Sequence, residues 1–234
     1  MRPLFIASLG NPGPNYLHTL HSAGHTLLIA LQRTIPTSPF SMSDRAYSKA
    51  PIARAPDDNV LLWQSPTFMN ESGPALATAW ATFCRACRIP SSSSSYSASH
   101  SGENMGNDTS SSSPHLIILH DELELPFGRF SIKTSTGTSA RGHNGLKSVM
   151  SIPALKACKL TRVGLGIGRP QSRDPDVVSG YVLEKMSRAQ KETVEGLADR
   201  VWADLKAREM VGISPKVNGK NEVKVSGGRR VVWR

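Results

Sequence analysis

Leu4-Phe5-Ile6-Ala7-Ser8-Leu9-Gly10-Asn11-Pro12-Gly13 opens the chain with a short apolar run that stops at a sharp turn. A run this short, closed by glycine and proline, reads as a buried strand rather than a helix. Two further apolar runs, Val60–Trp63 and Leu116–His120, repeat the pattern. Between them, Ala23–Gln32 has helical spacing, and Ser72 is placed to cap a helix with Pro74 in its first turn, running to about Arg85. Downstream, Arg129–Lys133 alternates like a more exposed strand and Arg162–Ile167 forms another. A short helix is expected around Leu146–Met150 and an amphipathic one over Arg188–Arg208. Strands alternating with helices predict a single-domain α/β fold, a three-layer α/β/α with a twisted, mostly parallel, mixed central sheet.

In such sheets the loops at the carboxyl ends of the strands gather around one crevice. Each of the three apolar strands ends in a loop carrying a polar side chain: Asn11, Asn70 and Asp121. One such residue is an ordinary turn former. Three suggest a convergent polar site.

Composition adds a partner. Residues 91–113 hold 12 serines in 23 positions, with no lysine, arginine or large aliphatic side chain. That stretch cannot bury enough apolar surface to offset its ordering entropy and reads as a disordered insertion. All 28 Lys and Arg lie outside it, while Glu103 and Asp108, two of the 18 acids, lie inside, so the remainder carries a formal +12. So basic a body suggests an anionic partner, nucleic acid before membrane, because no apolar run is long enough to span a bilayer. A folded unit over residues 1–210 and a loosely held basic tail over 211–234 are expected; from Lys216 the tail has six basic residues against one acid. Three cysteines without a secretory apolar segment argue against a disulfide framework. The early first strand leaves no room for a targeting peptide, so a cytoplasmic setting is expected, the mitochondrion being the alternative.

Among chemical motifs, a nucleophile elbow, a phosphate loop and a zinc-protease helix are absent. Gly164, Gly166 and Gly168 lack the dinucleotide spacing, and Cys84 and Cys87 fall at a helix end beside the serine tract. His18, His21 and His25 are spaced to line one face of a continuous helix and would then suit a metal-dependent hydrolase. Ser22-Ala23-Gly24 would interrupt or start a helix there, which places His21 at a helix entry. His21 is then a packed histidine or a general base, with Asp121 the natural carboxylate to fix its tautomer.

Four blocks, in order, resemble the bacterial-type peptidyl-tRNA hydrolase family. They are Ile6–Gly24, with Gly10-Asn11-Pro12-Gly13, Tyr16 and His21-x-Ala23-Gly24; Pro66-Thr67-Phe68-Met69-Asn70-x-Ser72-Gly73; His120-Asp121-Glu122-Leu123-x-Leu125-Pro126-x-Gly128; and Gly142-His143-Asn144-Gly145-Leu146-Lys147 with Gly166-Ile167-Gly168-Arg169-Pro170. The resemblance implies cleavage of the ester joining a peptide to the 3′ ribose of tRNA, by a monomer needing no metal or cofactor. It implies that His21 activates water and Asp121 orients it. Asn11 and Asn70 would position the peptide or the water, Asn144 would act near the tRNA 3′ end, Met69 would line the cleft and Tyr16 pack at its edge. Arg129, Lys133, Arg141 and Lys147 flank these blocks and are the candidates to hold acceptor-stem phosphates. Two positions depart from the family's usual Arg-His-Asn-Ala-Gly: Leu20 removes a possible phosphate or carboxylate contact, and Ser22 shortens a polar cap. A catalytically silent RNA-binding protein on the same fold is the rival a turnover assay would separate.

Overall fold

The structure is a computed structural model that describes residues 2–88, 113–134, 140, 142–156, 158 and 160–211. The expected serine insertion, apart from Ser113, and the basic tail from residue 212 lie outside the described residues, as does Arg141.

Seven strands form one sheet: β1 (Leu4–Ser8), β2 (Ser41–Met42), β3 (Pro51–Arg54), β4 (Val60–Gln64), β5 (His115–Glu122), β6 (Phe130–Thr134) and β7 (Leu160–Gly166). Their order is β2-β3-β4-β1-β5-β7-β6. The four inner strands β4, β1, β5 and β7 are mutually parallel, and the antiparallel pairings are confined to the two edges.

Period-two alternation explains the layers. Leu4 and Ile6, Val60 and Leu62, Ile117 and Leu119 point to one face, where they meet Leu27, Leu28 and Leu31 of α1 (Ala23–Thr34) and Val201 and Leu205. Phe5 and Ala7, Leu61 and Trp63, Leu116 and Ile118 point to the other, against Leu76, Trp80 and Phe83 of α2 (Ser72–Arg88) and Leu146 and Val149 of α3 (Asn144–Met150). Residues buried on both faces give continuous apolar strands, which is why β1, β4 and β5 stand out in the sequence.

The remaining helices are α4 (Pro153–Lys156), α5 (Pro175–Leu183), α6 (Arg188–Glu195) and α7 (Ala198–Val211). One helix was expected over 188–208; two form, because Gly196 ends the first and Leu197 turns into the core between them. β2 and β3 have too few apolar residues to announce themselves. The helix α5 was also not expected, although Asp174 before Pro175 is a readable start signal and its side chain caps the first turn. Among the described residues no helix is long and apolar enough to cross a membrane, and Cys84, Cys87 and Cys158 are not joined in disulfides.

Candidate active site

Because β4, β1 and β5 are neighbouring parallel strands, their carboxyl ends lie side by side. A cleft of about 800 Å³ opens there, lined among others by Asn11, His21, Met69, Asn70, Asp121 and Asn144. Asn11, Asn70 and Asp121 therefore do converge, although Asp121 is still within β5 rather than in the loop after it, because the strand stays paired with β7 through Glu122.

His21 lies in a 3-10 turn, Leu20–Ser22, directly ahead of α1. Its Nδ1 is 2.9 Å from Oδ1 of Asp121, with side-chain exposures of 13% and 3%. Burial disfavours the imidazolium, but the charge and hydrogen bond of Asp121 outweigh it and raise the His21 pKa above its ordinary value. Burial pushes Asp121 the other way, toward its neutral form; the imidazoles of His21 and His143 beside it prevail and hold its carboxyl well below the usual range. With Nδ1 taken by the carboxylate, Nε2 of His21 is the nitrogen left to accept a proton.

His18, His21 and His25 do not share a helix face. The helix begins only at Ala23, and His18 sits in the left-handed region at φ 60°. His25 turns into the interior, where its Nδ1 is 2.7 Å from Ser8 Oγ.

Asn11 has a structural bond as well as a place in the cleft. Its Oδ1 accepts the Met69 amide hydrogen at 2.8 Å, which ties the first strand's turn to the 3-10 turn Met69–Glu71 and leaves the Asn11 amide nitrogen as a donor. Met69 is buried at the cleft wall, whereas Asn70 and Asn144 are exposed in it. Tyr16 meets Phe68 edge-on at 6.0 Å between ring centroids, and Phe68 lines the cleft. Of the basic candidates, Lys133 lines the cleft and pairs with Glu122 at 3.2 Å. Arg129 and Lys147 are exposed outside its described lining, Lys147 reaching Asn144 Oδ1 at 3.4 Å.

The sequence reading passed over His143. Its Nε2 lies 2.9 Å from the same Asp121 Oδ1 that His21 contacts. His120 was also passed over; its Nδ1 donates to the Asp121 backbone carbonyl at 2.7 Å, and burial drives its own pKa down to about 3. Arg162, Arg169 and Arg173 line the cleft too, with Val178 and Val182 of α5 forming an apolar wall. His143 stood next to Asn144 in a recognised block, but nothing in the sequence shows which way its ring turns.

His21, Asp121 and His143 bring three ligand atoms within 4.8 Å of one another, a spacing a metal ion can use. The tautomer of His143 opposes that use. Its Nδ1 accepts the Leu146 amide hydrogen at 3.2 Å, so its ring hydrogen sits on Nε2 and points at Asp121. A metal ligand would have to present a lone pair there instead.

Fold and site together define an α/β enzyme with a histidine–carboxylate pair at the carboxyl edge of its sheet. Comparison with known proteins gives the family: the peptidyl-tRNA hydrolase profile matches residues 5–90 and 97–226, so the chain belongs to the peptidyl-tRNA hydrolase family. A peptidyl-tRNA hydrolase of Rubrobacter xylanophilus is 35% identical over 202 residues, covering 84% of this chain and 90% of the relative. One from Mycobacterium ulcerans is 30% identical over 217 residues, covering 92% and 96%. Among solved structures, a point mutant of the Acinetobacter baumannii peptidyl-tRNA hydrolase superposes with a TM-score of 0.63 at 25% identity, covering 90% of this chain and 91% of the other.

Proposed function

We propose that the chain hydrolyses the ester between the peptide, or an N-acyl amino acid, and the 3′ ribose of peptidyl-tRNA, with His21 as general base. The observation that carries the base assignment is the 2.9 Å contact of His21 Nδ1 with buried Asp121 at the wall of the cleft. Nε2 takes a proton from water as its oxygen attacks the ester carbonyl. Collapse of the tetrahedral intermediate breaks the bond to the ribose oxygen, which recovers the proton from His21. A positioned base contributes ~10²–10⁴-fold to such a step, and an activated ester needs no covalent nucleophile.

Asn11, Asn70 and Asn144 supply amide groups around the cleft, where they hold the water and the peptide and stabilise the developing oxyanion. Lys133 inside the cleft, with Arg129, Arg141 and Lys147, holds the acceptor stem through phosphates, without reading sequence.

The test is release of free tRNA from an N-acylated aminoacyl-tRNA with EDTA present. Turnover is expected. Binding without turnover would replace this reading with that of a silent RNA-binding protein.

A further inference from the structure

The carboxylate beside the base is held from two sides, and the second side has a job of its own. His143 occupies the N-cap position of α3, where its Nδ1 accepts the Leu146 amide hydrogen. That bond leaves the ring hydrogen on Nε2, which donates to Asp121 Oδ1 at 2.9 Å. The same oxygen accepts from His21 Nδ1 at 2.9 Å. One carboxylate oxygen thus receives two imidazole N–H groups, and the His143 side chain is only 8% exposed. The next residue after the cap is Asn144, which reaches into the cleft. Gly145 then packs so closely on Met69 that a Cβ there would lie 2.4 Å from the Met69 sulfur.

We propose that His143 is a positioning residue for the hydrolytic step. Its Nε2–H fixes Asp121 Oδ1 in one place, so that His21 is held by a stationary acceptor with Nε2 free for water. Its Nδ1 simultaneously fixes the start of α3. The ring therefore makes the base and Asn144 parts of one rigid unit, and water positioning and proton removal keep a constant relative geometry. This role rests on the reading of His21 as the base. A donor on the carboxylate also drains part of its charge, so losing it leaves a stronger negative potential on His21 and favours the imidazolium. The other ionisable groups around the pair include His120 and Glu122, which flank Asp121 on β5, and Lys133 of β6 and Arg162 of β7, with Glu124, Arg169 and Arg173 also lining the cleft.

Two substitutions separate the two ends of the ring. His143→Asn places an acceptor where Nδ1 was and is a favoured cap, but it is too short to reach Asp121. His143→Gln carries an N–H donor out to the position of Nε2 and is a poor cap. Single-turnover cleavage of an N-acylated aminoacyl-tRNA is measured across pH for both, with thermal melts, beside His21→Ala. The expected result is a crossing. His143→Asn keeps its melting temperature but loses about 10- to 100-fold in rate, with KM little changed and its kinetic pKa moved upward. His143→Gln melts lower yet recovers most of the rate. A purely structural cap predicts the reverse order of activities. The proposal is overturned if His143→Asn matches the parent in rate and pH midpoint, or if His143→Gln is no faster than His143→Asn. Should His21→Ala itself retain the parental rate, the base assignment fails and this role fails with it.

Discussion

Two histidines four residues apart receive opposite treatment. His25, on the first turn of α1, is 4% exposed and meets the Ser8 hydroxyl, with no carboxylate at its ring among the described residues; burial drives its pKa down to about 4. His21, in the turn before the helix, is also mostly buried but finds a carboxylate, and its pKa rises. Burial penalises the imidazolium in both. What differs is whether a negative charge is close enough to overcome the penalty. The same residue type becomes a neutral packing element in one case and a titrating base aimed into a cleft in the other.

The sharpest way to break the comparison is to delete each ring. His21→Ala should lower single-turnover cleavage by ~10²–10⁴-fold while leaving the melting temperature and tRNA binding nearly unchanged. His25→Ala should do the opposite, costing about 1–3 kcal/mol in denaturant unfolding by stranding the buried Ser8 hydroxyl, with a far smaller effect on chemistry. Similar kinetic losses in both variants would mean that the two histidines are not functionally distinct.

Removing the charge alone is a milder cut. Asp121→Asn keeps an acceptor for His21 and loses the negative charge, so the rate should fall less than in His21→Ala. The midpoint of the pH–rate profile should also move down. In the parent, activity requires neutral His21, so it should rise with pH through a midpoint above 6.5, the ordinary value. An unshifted profile in Asp121→Asn would show that the carboxylate does not set the base.

Stability against pH tests the other member. A histidine whose pKa is lowered on folding binds its proton more readily in the unfolded chain, so stability is lost as pH falls from about 6.5 toward 4. His21 has the opposite sign: its contribution is complete below the unfolded value and is lost as pH rises through the folded one. His25→Gln should flatten the acid limb, by at most about 1.4 kcal/mol per pH unit. His120, also depressed, should keep a residual slope. No flattening would mean that His25 is not protonated on unfolding.

The smallest effect expected is electrostatic and concerns neither ring. Log affinity for tRNA should fall linearly with log salt, and Lys133→Ala should flatten that slope by roughly one unit. Low salt should restore that variant. Asn70→Ala should stay impaired at every salt concentration, because a missing amide is not screened. Equal rescue of both would merge the phosphate and peptide ends into one site.

Much of this was legible in the residues. β1, β4 and β5 are continuous apolar runs because both faces of an inner strand are buried; Asn11 and Asn70 follow the first two in their loops, whereas Asp121 is the buried penultimate residue of β5 itself. The start of α1 at Ala23 also showed through, and with it the reason His18, His21 and His25 could not form one stripe. The edge strands β2 and β3 were not legible, since short elements carry weak periodicity; α5 had its start signal at Asp174-Pro175 but no buried residue to give the helix a period. The sequence by itself therefore determined the α/β class, the sheet edge that carries the cleft, and the family whose blocks bracket His21 and Asp121. Only the tertiary structure decided that His21 and Asp121 touch across 100 positions of sequence, that His143 shares the same carboxylate oxygen, and that His25 faces Ser8 instead. Side-chain direction and partner choice are fixed by packing between elements distant along the chain, and no local pattern encodes them.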